Sequence, residues 1–173
     1  YNRRSVQYLP QDVLNRHFDT LPGGRFQISD DIREAVHLFQ VNLSDRESAR
    51  KLRRFDLILA NQVWEHLDRP YAATKNVYKM LRKGGFFWVA VPFFVPFHAA
   101  PQDNSRWSAR GLKNLLIEGG FDVDAIHAEQ WGNRHVALRN MEKDWPPKYD
   151  PETDDIKNDP MMPVCSWALA QKV

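Results

Sequence analysis

Two apolar runs, separated by a stretch with helical periodicity, constrain the fold of this chain more than any other feature of its sequence. Residues 55–60 are almost continuously apolar, which is typical of a strand buried on both faces of a sheet. From Tyr71 to Leu81, apolar side chains recur at helical spacing, and Gly84 follows where the helix is predicted to end. Residues 86–91 form a second β-type run, rich in aromatic side chains and valine. Strand, helix and strand in this order predict a parallel crossover unit.

The alternation of helical and β-type patterns continues through the rest of the chain. Ser108 is placed to cap a helix with a leucine-rich face, and Gly119 is placed to end it. Residues 121–128 and 164–169 are predicted strands, and the polar, proline-rich stretch 145–163 is predicted to be a surface loop. Together these patterns predict a three-layer α/β fold.

The N-terminal part carries weaker signals. Residues 6–18 are predicted to form a helix that Pro10 breaks or opens, and residues 26–29 and 36–41 are predicted short strands. A length of 173 residues is near that of one ordinary domain, so a single domain over residues 1–173 is expected. The chain does not start with methionine, which leaves room for N-terminal sequence that it does not include.

Composition and charge exclude several classes of protein. Hydrophobic residues make up 43% of the chain, enough for a sizeable core and too many for a disordered or fibrous protein. The 24 lysines and arginines nearly balance 22 acidic residues, which gives no argument for binding to nucleic acid or to an anionic membrane. The longest apolar run, 86–97, contains two prolines and is too short to span a bilayer. The single cysteine, Cys165, permits no internal disulfide, so a reducing compartment, the cytoplasm, is expected.

Signatures of several other site types are missing from the sequence. The six histidines are scattered, with no H-x-x-x-H pair and no CxxC, so no metal site is predicted. The chain has no G-x-S-x-G elbow and no phosphate loop, which argues against hydrolases of those kinds. The G-x-G-x-x-G motif of nicotinamide-dependent oxidoreductases is absent as well.

Polar side chains follow both strands of the central unit. In an open α/β sheet, ligands bind beyond the carboxyl ends of the strands, so a functional site is expected where these side chains lie. After the first strand they are Asn61, Gln62, Glu65 and His66, and after the second they are His98, Asp103, Arg106 and Trp107.

The central unit resembles the second half of a class I S-adenosylmethionine (SAM) dependent methyltransferase. The likeness is carried by the run FDLILANQVWEHLDRPYAATKNVYKMLRKGGFFWVAVPF, with its FDLI strand, its EHL segment and a helix ending in L-R-x-G-G. The match is dense over residues 55–93 and continues more loosely through GLKNLLIEGGFDV to PVCSWALAQK. A subgroup associated with sugar or polysaccharide biosynthesis is suggested by HAAPQDNSRWS and the later WGNR.

The resemblance implies a Rossmann-like methyltransferase fold, with a mostly parallel sheet and an antiparallel C-terminal strand. It implies SAM as the cofactor and a small molecule or saccharide as the methyl acceptor. By analogy, Asn61, Gln62 and His66 would line the cofactor pocket, and Ser29 and Asp30 would approach it from an earlier strand end. The alternative for His66 and its neighbour Glu65 is a helix cap or a bond to the backbone. The acidic residue that would hold the ribose is left open among Asp30, Asp31 and Asp45.

Candidate catalytic residues lie in the segment after the second strand. Methyl transfer is an in-line displacement with a cofactor-borne methyl group, so the protein has to position the acceptor and receive its proton. By analogy His98 is the candidate general base, with Asp103 orienting it or taking the proton itself. Arg106 would clamp a carboxylate or phosphate of the substrate, and Trp107 would stack on a sugar. The alternative is that Asp103 and Arg106 brace the loop while Trp107 packs under the next helix.

A third group of polar side chains follows a later strand. Trp131, Asn133 and Arg134 are candidate substrate contacts, because their strand end can face the same cleft. The alternative is a turn that a tryptophan anchors.

The first part of the chain departs from the family pattern. Members carry a glycine-rich loop after the first strand, which lets the backbone approach the cofactor. Here Gly23 and Gly24 precede the candidate strand, and Phe26 to Phe55 is too short a distance for two crossover units. Three explanations stay open: residues missing from within the chain, a trimmed cofactor loop, or a methyltransferase fold that has lost catalysis. The last would make the chain a binding or scaffolding module.

Overall fold

The computed structural model describes residues 1–7, 9–99, 101–143 and 145–173. The chain divides into two units, Tyr1–Gln40 and Val41–Val173, and each is described here by itself. The expectation of a single domain over the whole chain therefore stays a prediction. Among the residues described, no helix has the length and apolar character needed to cross a membrane.

The first unit combines short helices with a β-hairpin. Pro10 lies at the N-cap of the second helix, so the predicted helix over residues 6–18 is broken there. Gly23 and Gly24, with φ of 79° and 67°, form the turn of the hairpin. The elements are α1 (Arg3–Val6), α2 (Gln11–His17), β1 (Phe18–Leu21), β2 (Arg25–Ile28) and α3 (Asp30–Ala35).

The predicted strand over residues 36–41 is wrong. This segment has no regular secondary structure, and Leu38 and Phe39 are 92% and 67% exposed. A strand needs hydrogen-bonding partners on a neighbouring strand, and none is formed by this segment within the part of the chain that is described.

The second unit follows the predicted alternation of strands and helices. Two short 3₁₀ helices, Trp64–His66 and Val123–Ala125, lie in its connections. The predicted loop over residues 145–163 is confirmed, because the described residues there form only turns and irregular chain. The remaining elements are α4 (Arg46–Arg50), β3 (Phe55–Asn61), α5 (Pro70–Met80), β4 (Leu81–Pro92), α6 (Ala109–Gly119), β5 (Ile126–Trp131), α7 (Arg134–Arg139) and β6 (Cys165–Gln171).

The sheet of the second unit has the order β3-β4-β6-β5. Strands β3 and β4 are parallel, and β6 is antiparallel to both of its neighbours. Three strands therefore run in one direction and only the C-terminal strand runs against them. This confirms the predicted mostly parallel sheet with an antiparallel C-terminal strand.

The crossover helix is shorter than predicted, and the following strand is longer. Helix α5 ends at Met80, and β4 begins at once with Leu81, which pairs with Phe55. The carbonyl oxygens of Tyr78 and Leu81 both accept hydrogen bonds from the ammonium group of Lys172, at 2.9 Å each. The end of the helix is thus fixed by partners distant in sequence, which local glycine signals do not report.

Two other predicted boundaries shift for similar reasons. The sequence predicts Asp68 as the N-cap of this helix, because a short acidic side chain there can accept from the first free N–H groups. In the structure the N-cap of α5 is Arg69, and Asp68 instead accepts a hydrogen bond from Gln102 Nε2 at 2.6 Å. Strand β5 begins at Ile126 rather than residue 121, because Asp122 caps a 3₁₀ turn first.

Helices α5 and α6 cover one face of the sheet and form the core with it. Val77, Leu112, Phe87 and Ala168 are fully buried at this contact. Each large apolar side chain buried in this way contributes on the order of 1.5–3 kcal/mol to the free energy of unfolding. The amphipathic patterns of the two helices therefore determine which face of the sheet is covered.

The opposite face of this sheet is more open. Leu57 and Leu59 of β3 are 52% and 67% exposed. On the same face, the indole rings of Trp88 and Trp167 stack at 4.8 Å between centroids, which joins β4 to β6. The outer face of β3 is therefore left uncovered by the described residues of Val41–Val173.

Candidate functional site

Two chain segments meet beyond the carboxyl ends of β3 and β4, where the sequence predicts a site. Because the two strands are parallel neighbours, the segments that follow them start at the same edge of the sheet. The backbone N–H of Asn104 donates to the carbonyl oxygen of Glu65 at 2.8 Å. The side chains of Gln102 and Asn104 both donate to the carbonyl oxygen of His66, at 3.2 and 3.3 Å. The segment after β4 is thus tied to the 3₁₀ helix after β3.

Gln62 turns the chain sharply at the end of β3. Its backbone has φ of 55°, in the left-handed region, and its N–H donates to the carbonyl oxygen of Ala90 at 2.9 Å. Side chains other than glycine rarely adopt this conformation, and such residues cluster at functional sites. Asn61 and Gln62 are both exposed at this edge. Their predicted contact with the cofactor stays a prediction.

The carboxylate of Glu65 is the most unusual group at this edge. Glu65 is 0% exposed, and neither of its carboxylate oxygens has a hydrogen-bond partner among the described residues. Burial raises the pKa of this carboxyl group, and the nearby His66, His98 and Arg106 oppose that shift. A buried, charged carboxylate without hydrogen bonds is costly, so Glu65 needs either a proton or a bound cation.

Two histidine rings face that carboxylate. Nε2 of His66 lies 3.6 Å from Glu65 Oε1, and Nε2 of His98 lies 3.9 Å from the same oxygen. The two rings meet edge to face, with centroids 5.2 Å apart. Glu65 does not cap a helix, so the cap alternative does not describe it. The other nitrogen of His66, Nδ1, lies 2.5 Å from the carbonyl oxygen of Gln102, which agrees with the backbone-bond alternative for His66.

Asp103 and Arg106 form a bidentate ion pair beside His98. Arg106 Nη2 donates to Asp103 Oδ2 at 2.6 Å, and Nη1 donates to Oδ1. Asp103 also accepts from the backbone N–H of His98 at 3.0 Å. These bonds, that from Arg106 foremost, hold the pKa of Asp103 well below its ordinary value. Asp103 is thus an ionised group that braces the loop, as the structural alternative predicted.

Trp107 and Trp145 have different surroundings. Trp107 is only 9% exposed and packs in the core at the start of α6, as the structural alternative predicted. Trp145 packs against His98 with ring centroids 5.3 Å apart, and its Nε1–H donates to Asn140 Oδ1 at 3.3 Å. Trp145 could not be predicted from the sequence, because a single tryptophan in a proline-rich loop gives no periodic signal.

Asn133, from the third predicted group of polar residues, braces the loop before β6. Asn133 is 5% exposed and caps α7, with its Oδ1 accepting from the N–H of Val136 at 2.8 Å. Its amide nitrogen donates to the carbonyl oxygens of Asp155 and Lys157, at 2.9 and 2.8 Å. Its amide is therefore occupied by backbone groups.

The neighbours of Asn133 occupy different positions. Trp131 ends β5, and its carbonyl oxygen accepts from the N–H of Val164 at 2.8 Å. Arg134 begins α7 and is exposed. Contact of these residues with a substrate stays a prediction.

Ser29 and Asp30 belong to the first unit. Ser29 precedes α3 without a side-chain cap bond, and Asp30 pairs with Arg33 at 2.7 Å. Their predicted role toward the cofactor also stays a prediction.

The described residues match only part of a SAM site. The polar turn at Asn61 and Gln62 supplies the strand-end wall that an α/β ligand site needs. Gly23 and Gly24 form a hairpin turn with open space around them, so their backbone does not form a binding loop for a cofactor. The turn after β3 therefore fits one side of a SAM site, and Gly23 and Gly24 do not fit its glycine-rich loop.

An open cleft of about 340 Å³ borders His66. Its lining is polar, with amide, hydroxyl, carboxylate and guanidinium groups that can pair with a hydroxylated ligand. The residues are Asn42, Ser44, Asp45, His66, Leu67, Asp68, Arg69 and Gln102.

Comparisons with known proteins agree with this description. Residues 25–87 match a family model described as "Methyltransferase domain". A chemotaxis protein methyltransferase of Vibrio cholerae is 32% identical over 91 residues, which covers 51% of this chain and 32% of the relative. The chain thus matches about a third of the length of that curated relative.

Solved structures show the same fold. A SAM-dependent methyltransferase of Archaeoglobus fulgidus is similar with a TM-score of 0.53 and 16% identity, over 83% of this chain and 72% of that one. A SAM-dependent methyltransferase of Thermotoga maritima, described as a possible histamine N-methyltransferase, gives 0.57 and 17%, over 82% and 67%. These likenesses confirm the predicted Rossmann-like α/β fold.

Proposed function

We propose that this chain, which is similar to class I SAM-dependent methyltransferases, transfers a methyl group from SAM to a small polar molecule or glycan-type acceptor. The observation that carries the proposal is the meeting of the segments after β3 and β4 at one sheet edge. That edge places the strained turn at Gln62, the His98 loop and a polar cleft in the same part of the second unit.

The chain's own residues would orient the acceptor and receive its proton. SAM, when bound, supplies the activated methyl group. His98 Nδ1 lies 3.0 Å from the carbonyl oxygen of Pro96, which holds the ring and leaves the Nε2 lone pair free to accept a proton. Asp103 keeps the loop in place through Arg106 and His98 N–H, so it acts as a positioning residue.

The polar lining of the cleft supports a hydroxylated acceptor. Asn42, Ser44 and Gln102 offer hydrogen-bond donors and acceptors, and Arg69 adds a positive charge. An apolar acceptor would leave these groups without partners, which costs binding free energy. The proposed localisation is the cytoplasm, because its reducing conditions are compatible with the free thiol of Cys165.

A second candidate function is a binding or scaffolding module that has lost catalysis. The observation that favours it is the missing glycine cradle within the described residues, where Gly23 and Gly24 serve a hairpin turn. Calorimetric titration of the purified protein with SAM and with S-adenosylhomocysteine separates the two functions. Dissociation constants of roughly micromolar order would support the enzyme, and no heat of binding would support the module.

Methyl-transfer assays with sugar and other hydroxylated acceptors test the roles of the loop residues. We expect His98→Ala to lower kcat by about 10²–10⁴-fold, the usual contribution of a general base. Exposed His127, which pairs with Glu129 on β5, supplies the matched control His127→Ala. Full turnover in His98→Ala would show that His98 does not receive the proton.

A further inference from the structure

We propose that Glu65, His66 and His98 bind a divalent transition-metal ion. One ligand atom from each residue lies within 4.8 Å of the others, and two of the separations are 3.6 and 3.9 Å. Around a tetrahedral ion with ligands at about 2.0–2.2 Å, the ligand atoms lie roughly 3.3–3.6 Å apart. Small side-chain rotations therefore bring the three atoms to coordination distance.

The three groups present lone pairs to one another, and the second ring nitrogen of each histidine is already engaged. His66 Nδ1 lies 2.5 Å from the carbonyl oxygen of Gln102, and His98 Nδ1 lies 3.0 Å from that of Pro96. A carbonyl oxygen only accepts hydrogen bonds, so each Nδ1 carries a hydrogen and Nε2 is the ring atom left to bind a metal ion. The buried carboxylate of Glu65 adds a third electron-pair donor with no hydrogen-bond partner. A cation satisfies all three donors at once.

The groups behind the histidines match those that commonly surround metal ligands. A histidine that binds a metal usually donates its second N–H to a carbonyl or carboxylate, which fixes the ring. Gln102, whose carbonyl faces His66, is itself held by Asp68 through a 2.6 Å hydrogen bond. The carboxylate of Asp103 lies 3.4 Å from His98 Nδ1. Both rings are thus fixed in the orientation that aims Nε2 at Glu65.

The donor set identifies the class of ion. Two imidazoles and one carboxylate, without sulfur, suit Zn²⁺, Fe²⁺ or Mn²⁺ rather than Cu⁺ or an iron–sulfur cluster. Three protein ligands leave a tetrahedral ion with an open position, as in catalytic rather than structural zinc sites. The side chains of His66 and His98 are 18% and 20% exposed, so water or an acceptor oxygen can reach that position.

This inference competes with the role of His98 as a general base. Both uses require the same Nε2 lone pair, so His98 cannot serve as ligand and as proton acceptor at the same time. The sequence predicts no metal site, because adjacent Glu65 and His66 with a distant His98 do not form a recognised spacing motif. The ligands meet only because β3 and β4 are parallel neighbours.

Zinc titration of the chelator-treated protein tests the proposal. We expect calorimetry to show one Zn²⁺ per chain, and Co²⁺ substitution to give the absorption bands of a tetrahedral site. Glu65→Gln and His98→Ala should each weaken Zn²⁺ binding by roughly 100-fold or more. The control His127→Ala removes an exposed histidine of β5, whose Nε2 is 3.2 Å from the Glu129 carboxylate, and this variant should bind Zn²⁺ as the unaltered protein does.

The proposal is overturned if the unaltered protein binds no Zn²⁺, or if the cluster variants bind it as tightly as His127→Ala. In that case the three donors share a proton instead of a metal ion. Should a cluster variant fail to fold, the unaltered protein still decides: Zn²⁺ must raise its melting temperature and a chelator must reverse the effect. The titration is done without SAM, so its failure does not bear on methyl transfer.

Discussion

Gly119 at the end of α6 lies directly against the side chain of Thr74 in α5. A β-carbon added at Gly119 would be 2.3 Å from Thr74 Cγ2, far inside van der Waals contact. We expect Gly119→Ala to lower the free energy of unfolding by about 1–3 kcal/mol, as overpacking of a core does. Denaturant melts measure the change. Thr74→Ser in the same chain should restore most of the loss, because it removes Cγ2.

Gly111 on the same helix is the matched control for this prediction. The atom nearest to a β-carbon added at Gly111 would be Trp107 Cδ1, at 3.5 Å, which is an ordinary contact. Gly111→Ala should leave stability unchanged or raise it by up to about 1 kcal/mol, because alanine favours helix. Equal losses at both glycines would contradict the packing argument.

The ion pair of Arg106 with buried Asp103 contributes more than a surface pair does. Asp103 is only 3% exposed, and Arg106→Lys would leave one of its oxygens without a charged donor. We expect a loss of roughly 1.5–3 kcal/mol in the free energy of unfolding, measured by denaturant melts. Arg50→Lys, in an exposed pair of the same sequence spacing with Glu47, should cost less than about 0.5 kcal/mol.

The left-handed backbone at Gln62 predicts opposite effects on stability and on cofactor binding. Gln62→Gly should raise the free energy of unfolding by about 0.5–1 kcal/mol, because glycine adopts this conformation without strain. The same change should weaken SAM binding in a calorimetric titration if the side chain contacts the cofactor. Asn61→Gly, in the extended end of β3, should lower stability instead.

Asp154 makes the loop before β6 sensitive to acid. A hydrogen bond from His135 at 2.9 Å, followed by the N–H of Asp150 and the charge of Arg139, lowers the pKa of Asp154. A group whose pKa is lowered by folding contributes stability above its unfolded pKa, and this contribution is lost as pH falls through the folded value. The melting temperature of Asp154→Asn should therefore lie below that of the unaltered protein near pH 6 and approach it below roughly pH 4.

Exposed Asp56 is the control for that pH series. Asp56 pairs with Arg82 on the surface, and Asp56→Asn should change the melting temperature little at any of these pH values. A difference for Asp154→Asn that persists unchanged into acid would contradict the charge argument.

The central crossover could be predicted from sequence because its signals are local. The helical spacing of apolar residues from Tyr71 onward predicts α5 and its buried face. The apolar runs of β3 and β4 predict the two strands in the same way. The end of α5 could not be predicted, because it depends on Lys172, which lies in the C-terminal part of the chain. Local patterns thus define which elements exist, and distant partners define where they stop.

The candidate site, too, was predictable from sequence only in part. His98, Asp103 and Arg106 were predicted because polar residues after a buried strand are visible in the sequence. The buried state of Glu65 was not predicted, since an acidic residue in a polar string is usually exposed. The hydrogen bonds from Gln102 and Asn104 join the segment after β4 to the turn that carries Glu65, and no pattern within either segment reports them.

The stacked indoles of Trp88 and Trp167 give the pairing of β4 with β6 an optical signature. Two indole rings with centroids 4.8 Å apart and planes inclined at 23° couple their electronic transitions in a skewed arrangement, which produces a paired positive and negative band in circular dichroism. Because each strand supplies one ring, the band pair disappears when the C-terminal strand leaves the sheet, even where helices persist. Detachment of the C-terminal strand can therefore be timed separately from loss of the helices, with no added label.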